Sequence, residues 1–351
     1  MIERPRDALL KLMQDKGLHR LTSSMWLHRK RLERLGFQYV AVEMLVREAF
    51  INASIREDLR VVFSEEFGGE QFEILLGKGD SRADSILSDR RIPGAPSFIS
   101  WRELSELLPD PPFPLFIVDM SLRYIHTDEE LERLRLQILV SLGVIREYLW
   151  DRHFAVTSAD KESQEWLRTY MGSNKAMITD TRPNELLWSL GADSVIILRP
   201  DAPQTLDRED VMKANAFLIG GVVDLIPRKG VSRVLDNLVP WGIPRRLSLR
   251  GSIIGVPERI NRIIEILLKA RYIYDGDVER AIISAMTKRD IQKRLFVEIM
   301  RAARGHGDKR YVTWDYYYEL KSWLPITPSD FLEAAKKTKV SVRGEPPGDL
   351  E

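Results

Sequence analysis

The spacing of apolar positions changes character twice along the chain. Up to about residue 112, helical spacing over residues 7–16 and 21–35 is mixed with runs at 59–63 and 72–76 that predict strands. Ser100 and Glu103, three apart, form the reciprocal cap that predicts a helix over residues 101–108. The segment PDPPFP at 109–114 excludes both helix and central strand, and reads as a linker. From residue 115 to 271, short apolar runs at 115–118, 154–156, 176–178, 195–198 and 217–219 alternate with helical stretches. One such helix is predicted over 128–150, capped by Thr127 and Glu130. Another follows Pro257, with Ile260, Ile263, Ile264, Leu267 and Leu268 on one face. Strand and helix in alternation predict an α/β block whose parallel sheet is covered on both sides. Beyond residue 272 helical spacing returns at 278–286, 291–303 and 330–337, with an aromatic-rich run at 311–323 and a frayed tail at 340–351. The chain therefore reads as three domains: α+β over 1–112, α/β over 113–271 and helical over 272–351.

Composition narrows the function classes. A chain of 351 residues, 44% hydrophobic and 30% charged, supports folded domains with real cores. Zero cysteines exclude a disulfide scaffold, a thiolate metal site and a cysteine nucleophile. Both signs of charge occur in residues 1–7 and no eighteen-residue apolar run follows, so a cytoplasmic protein without a membrane partner is expected. The net charge of +1 conceals an asymmetry. Residues 16–34 and 225–250 are each net +5, which leaves the remainder at −9. Cations concentrated in two short windows of an otherwise acidic chain point to a polyanion, with nucleic-acid phosphates foremost.

The familiar catalytic signatures are absent. No GxGxxG follows a strand, and no GxxxxGK[ST], HExxH or GxSxG occurs. His19, His28, His126, His153 and His306 lack ligand spacing, so no metal is expected. What remains are loops at the predicted strand ends, where ligands of parallel sheets bind. Residues 195–198 run into Arg199-Pro-Asp-Ala-Pro203, and residues 217–219 into Gly220-Gly-Val-Val-Asp224. Two readings of Gly220 and Gly221 stand: a bare backbone against which a ligand lies, or a tight turn. The aromatic residues Tyr311, Trp314, Tyr316, Tyr317, Tyr318 and Trp323 similarly read as a stacking surface or as the core of the C-terminal helices.

The order of these loops resembles the SPOUT methyltransferases, and within them the archaeal branch of the enzymes that methylate N1 of the purine at position 9 of tRNA. The resemblance is carried by Val118-Asp-Met-Ser-Leu122 with Glu130 and Gln137, by Ile219-Gly-Gly-Val-Val-Asp224 with Lys229-Gly230, and by Arg250-Gly-Ser-Ile-Ile-Gly255, over about residues 115–271. It implies a trefoil-knotted parallel sheet that binds S-adenosylmethionine. The cofactor pocket it implies comprises Leu198, Gly220, Gly221, Leu225, Ile226, Pro227, Arg228, Lys229, Leu247, Gly251, Ile253, Ile254 and Gly255. It also implies a monomer. Asp224 is the implied catalytic group. A carboxylate there can take the N1 proton of guanine, whereas for adenine, whose N1 already carries a lone pair, it acts electrostatically; capping of the following turn is the structural alternative. The chain departs from eukaryotic members at Leu225-Ile-Pro-Arg228 and Leu247-Ser-Leu249. For tRNA contacts the basic windows supply Arg29, Lys30, Arg31, Arg34, Arg233, Arg245, Arg246 and Arg250, with a solvated helix face as the alternative for the first four. The rival functions are another SPOUT enzyme, acting on ribose 2′-hydroxyls or ribosomal RNA, and a non-catalytic RNA-binding module.

Overall fold

The computed structural model describes residues 2–222 and 234–346. Chain contacts divide it into two compact units, residues 1–197 with 214–243 and residues 198–213 with 244–351.

The first unit holds two sheets. In the N-terminal sheet, Arg20–Ser23 (β1) lies parallel to both Glu70–Lys78 (β3) and Ser81–Ser88 (β4). The long strand Phe50–Phe67 (β2) pairs antiparallel with β4 through its first half and with β3 through its second, so the four strands close on themselves. Phe98–Ser100 (β5) adds to β2. The helical spacing over residues 21–35 is thus overridden. Leu21 is a buried strand residue between two partners, and the helix covers only Arg29–Leu35.

The second sheet contains Leu115–Asp119 (β6), Phe154–Thr157 (β7), Met177–Ile178 (β8), Val195–Leu198 (β9) and Ala216–Gly220 (β10), in the order β9-β10-β6-β7-β8. Ile243 opens a sixth strand, Ile243–Arg245 (β11), beside β9. β6 is flanked in parallel by β10 and β7, with Ile219 opposite Val118 and Gly220 opposite Asp119. Every residue of β6, β7 and β9 is buried, as unalternating apolar runs require. All five predicted strands of this block are present within a residue or so at each end.

Both predicted caps form. Ser100 accepts from the Glu103 N–H and Thr127 from the Glu130 N–H, and each glutamate accepts from its cap residue's N–H. The first of these helices is shorter than predicted, ending at Glu106. The second, Asp128–Ile145, ends five residues before the predicted position. The cause lies far off in sequence: the Gln38 side-chain amide donates to the carbonyls of Arg146 and Leu149, at 3.1 and 2.9 Å. Satisfied in this way, the end of the helix needs no further turn. Arg146 then grips Asp151 with Nε and Nη2, at 2.6 and 2.7 Å, and Trp150 joins the N-terminal core.

The second unit is mainly helical, with Ile260–Tyr272, Val278–Ala285, Lys288–Ala302, Trp314–Lys321 and Pro328–Lys337. Trp314 and Tyr317 are core residues here, while Tyr318 is half exposed, so the aromatic run serves packing first. The expected frayed tail is partly structured, because Ser341–Arg343 pairs in parallel with Tyr311–Thr313. Among the described residues no helix is long and apolar enough to cross a membrane.

Asp151 is wholly buried, and it also accepts from the Lys175 N–H at 2.8 Å. Asp151→Ala takes the carboxylate from the Arg146 guanidinium, which keeps the Ser173 carbonyl at 3.1 Å, and leaves the Lys175 N–H without that acceptor, and is expected to cost about 3 kcal/mol. Equilibrium urea unfolding measures this; a loss under about 1 kcal/mol contradicts the assigned role of the pair.

Candidate active site

At the carboxyl end of β6 one residue ties three strand exits together. Asp119 is 1% exposed. Its carboxylate accepts from the Ser121 N–H at 3.1 Å and from the Ser121 hydroxyl. It also accepts from Thr157 Oγ1 at 3.1 Å and Ser158 Oγ at 2.7 Å, both from the end of β7. A buried carboxylate is tolerated only when saturated with donors in this way. The Asp119 main-chain oxygen accepts from the Gly221 N–H at 2.8 Å, just beyond β10.

That last contact decides how the glycine pair is used. A Cβ on Gly221 would stand 2.6 Å from the Asp119 carbonyl oxygen, a backbone atom with little freedom to move. A Cβ on Gly220 would meet the Leu235 side chain at 3.1 Å. Glycine is therefore required at 221 by close approach of the Asp119 backbone, which favours the tight-turn reading of the pair.

Beside it, at the carboxyl ends of β6, β7 and β8, lies a cavity of about 310 Å³ lined by Ser121, Arg123, Ser158, Asp160, Asp180 and Arg182. Asp160 caps the helix Lys161–Met171 through the Ser163 N–H and pairs with Arg123 at 2.8 Å. Burial pushes the Asp160 carboxyl upward, but Ser163 and the Arg123 guanidinium outweigh it and hold its pKa at about 2.

The second unit carries the other predicted cofactor positions. Leu198 is nearly buried and Leu247 half-buried. The segments after them run side by side, with Arg199 N–H donating to the Arg245 carbonyl, Leu206 N–H to the Arg246 carbonyl, and Thr205 and Ser248 hydroxyls 3.2 Å apart. Residues 249–252 form a turn closed by two backbone bonds between Leu249 and Ser252, at 2.8 and 3.0 Å. Arg250 and Gly251, at φ 47° and 73°, give it the φ signs of a type I′ turn. The left-handed arginine costs on the order of 1 kcal/mol, which neighbouring contacts must offset. After it, Ile253 and Ile254 are exposed while Gly255 is buried. Adjacent exposed isoleucines on a loop held by its own backbone bonds suit a flat apolar ligand.

Leu225, Ile226, Pro227, Arg228, Lys229 and Arg233, together with Asp224, lie outside the described residues. Of the other basic positions, Arg29 pairs with Glu33 and Arg34 with Glu147, both on exposed surface. Lys30 and Arg31 are exposed; Arg31 also lines a groove of about 410 Å³ with Arg34 and Arg146. Arg245 is half-buried against Asp210 and Gln204, and Arg246 donates to the Ala202 carbonyl. Arg250 lies over the Trp323 ring. Among the described residues no cluster of three or more His, Cys, Asp or Glu has the arrangement of a metal site. Sequence reasoning missed Asp119 as the organising group, although Asp followed two positions later by Ser at a strand end is the pattern of an Asx turn.

A parallel sheet whose strand exits are tied together at its carboxyl edge defines a protein of the α/β class. Its similarities are specific. The chain is 31% identical over 245 residues to the tRNA (guanine(9)-/adenine(9)-N1)-methyltransferase of Thermococcus kodakarensis, covering 67% of this chain and 64% of that protein. It is 28% identical over 271 residues to the tRNA (adenine(9)-N1)-methyltransferase of Sulfolobus acidocaldarius, covering 76% and 81%. The crystal structure of Sulfolobus acidocaldarius Trm10 in complex with S-adenosylhomocysteine shares the fold, with a TM-score of 0.66 at 22% identity over 95% of this chain and 98% of that one. No protein-family model matches the chain. The chain is thus similar over most of its length to archaeal proteins named as tRNA position-9 N1-methyltransferases. It spans just under two thirds of the length of the Thermococcus relative.

Gly221→Ala forces Asp119 and the β10 exit apart. The expected outcome is a folded chain, by circular dichroism, whose affinity for S-adenosylhomocysteine falls at least about tenfold in calorimetry. Unchanged affinity would remove the glycine pair from the site. The depressed Asp160 pKa contributes stability that is full above the ordinary carboxylate range and is lost as pH falls from about 4 towards about 2. Wild type is accordingly expected to exceed Asp160→Ala by about 1 kcal/mol at pH 6, with the gap closing near pH 2 in parallel urea titrations.

Proposed function

We propose that this chain transfers a methyl group from S-adenosylmethionine to N1 of the purine at position 9 of tRNA. The reading rests on one observation above others: the exits of β6, β7 and β10 are locked together at the carboxyl edge of a parallel sheet, in a chain whose archaeal relatives are named for this reaction. The cofactor supplies an electrophilic methyl on a sulfonium. Gly220, Gly251, Ile253 and Ile254 fit it chemically, since they offer accessible main-chain groups and apolar side chains rather than charge, and Leu198, Gly221, Leu247 and Gly255 belong to the proposed pocket from more buried positions. Residues 225–229 complete the proposed pocket.

In this reading Asp224 faces N1 of the base. With guanine its carboxylate accepts the N1 proton as the new N–CH3 bond forms. With adenine it stabilises the cation that develops. Lys30, Arg31 and the exposed Arg29 and Arg34 hold tRNA phosphates, the last two by exchanging Glu33 and Glu147 for phosphate, and Arg233, Arg245, Arg246 and Arg250 line the approach on the cofactor side. The proposal includes a trefoil knot in the sheet, a division of labour among residues 1–112, 113–271 and 272–351, a monomeric enzyme and a cytoplasmic location.

Nucleoside mass spectrometry of tRNA transcripts carrying G or A at position 9 tests the reading. An N1-methylpurine is expected; a 2′-O-methyl nucleoside would assign the chain to ribose chemistry, and S-adenosylhomocysteine binding without any product would leave a non-catalytic module. In the same assay Asp224→Asn is expected to cut guanine methylation by roughly 100- to 10,000-fold and adenine methylation by less. Equal losses would make Asp224 a positioning group.

A further inference from the structure

The loop from Leu249 to Gly255 is held from one direction. The Arg250 N–H donates to Glu279 Oε1 at 2.6 Å, and its guanidinium carbon lies 4.4 Å from the centre of the Trp323 ring. Arg294, on the helix Lys288–Ala302, approaches the same ring at 5.4 Å. It is wholly buried, pairs with Glu298 at 2.6 Å, and directs Nη1 at the Ile254 carbonyl at 3.4 Å. Gly255, at φ 83°, packs directly on it: a Cβ at 255 would stand 2.8 Å from the Arg294 Cβ and 2.9 Å from the Asp290 carbonyl oxygen.

A buried arginine with one carboxylate partner is an expensive way to fill a helix face, and an apolar side chain of similar volume would pack there at less electrostatic cost. What the arginine adds is direction, because its planar fork reaches Glu298 and the loop carbonyl from a single fixed stem. Two guanidinium groups over one indole likewise couple the turn at Arg250 to the loop end at Gly255 through Trp323.

We infer that Arg294 is a positioning residue for methyl transfer, fixing the backbone of Ile254 and Gly255, and hence the cofactor-facing Ile253 and Ile254 side chains, from the C-terminal helices. The inference rests on the proposed cofactor role of that loop. Arg294 reaches the loop through the Ile254 carbonyl and the Gly255 backbone, so its removal is expected to show first in cofactor affinity.

The test is calorimetric binding of S-adenosylhomocysteine to the full-length chain, with steady-state KM for S-adenosylmethionine and for tRNA, on Arg294→Met, Trp323→Leu and Arg294→Lys. Arg294→Met and Trp323→Leu are expected to raise the S-adenosylhomocysteine Kd and the S-adenosylmethionine KM about tenfold, the scale of one directed hydrogen bond, with tRNA KM within about twofold. Arg294→Lys keeps the charge beside Glu298 but loses the fork, and is expected to fall between wild type and Arg294→Met. Unchanged Kd in a folded variant, or a rise confined to tRNA KM, overturns the inference. If neither Arg294→Met nor Trp323→Leu folds, Arg294→Lys decides alone, and wild-type affinity there overturns it. Wild-type chain that fails to bind S-adenosylhomocysteine overturns the proposed function instead.

Discussion

Two backbones meeting at the carboxyl end of β6 constrain what is built above them. The Gly221 N–H reaches the Asp119 carbonyl oxygen at 2.8 Å, where a Cβ at 221 would intrude to 2.6 Å. The contact holds because the Asp119 side chain is itself immobilised by donors from Ser121, Thr157 and Ser158. One residue thus fixes the exits of β6, β7 and β10 relative to one another. A parallel sheet gathers strand ends at one edge, but only local chemistry makes that edge a site.

That constraint explains why the sheet was readable and the site only partly so. Strands buried on both faces must be continuously apolar, so β6, β7, β9 and β10 stand out from the sequence. The caps at Ser100 and Thr127 are local and were legible for that reason. The role of Asp119 is hidden in the sequence, because beyond Ser121 its donors, Thr157 and Ser158, lie nearly forty residues away. The end of the helix Asp128–Ile145 depends on Gln38, more than a hundred residues upstream, and propensity carries no trace of it. β1 is four residues long and its register comes wholly from β3 and β4, so helical spacing around it was misleading.

At Arg294 local spacing points away from the structural role. Four residues before Glu298, it has the spacing of an exposed ion pair on a helix, the commonest role for such a pair. Its burial between Gly255, Trp323 and the Ile254 carbonyl shows that it faces inward. Charge patterns along a helix identify partners without saying which face is wet.

The same distinction reorders the basic windows. Arg29 and Arg34 keep 64% and 58% of their side-chain surface, and their pairs with Glu33 and Glu147 are of the weak, solvent-screened kind. A phosphate carries more charge than a carboxylate side chain and offers several acceptor oxygens, so a guanidinium at such a site exchanges partners at little cost. Arg245, at 15%, is braced between Asp210 and Gln204, and taking it from Asp210 would strand a carboxylate that is only 10% exposed. Equal formal charge in the two windows therefore does not mean equal availability: Arg29 and Arg34 keep their charge at the surface, while Arg245 and Arg246 hold the loops of their own chain in place.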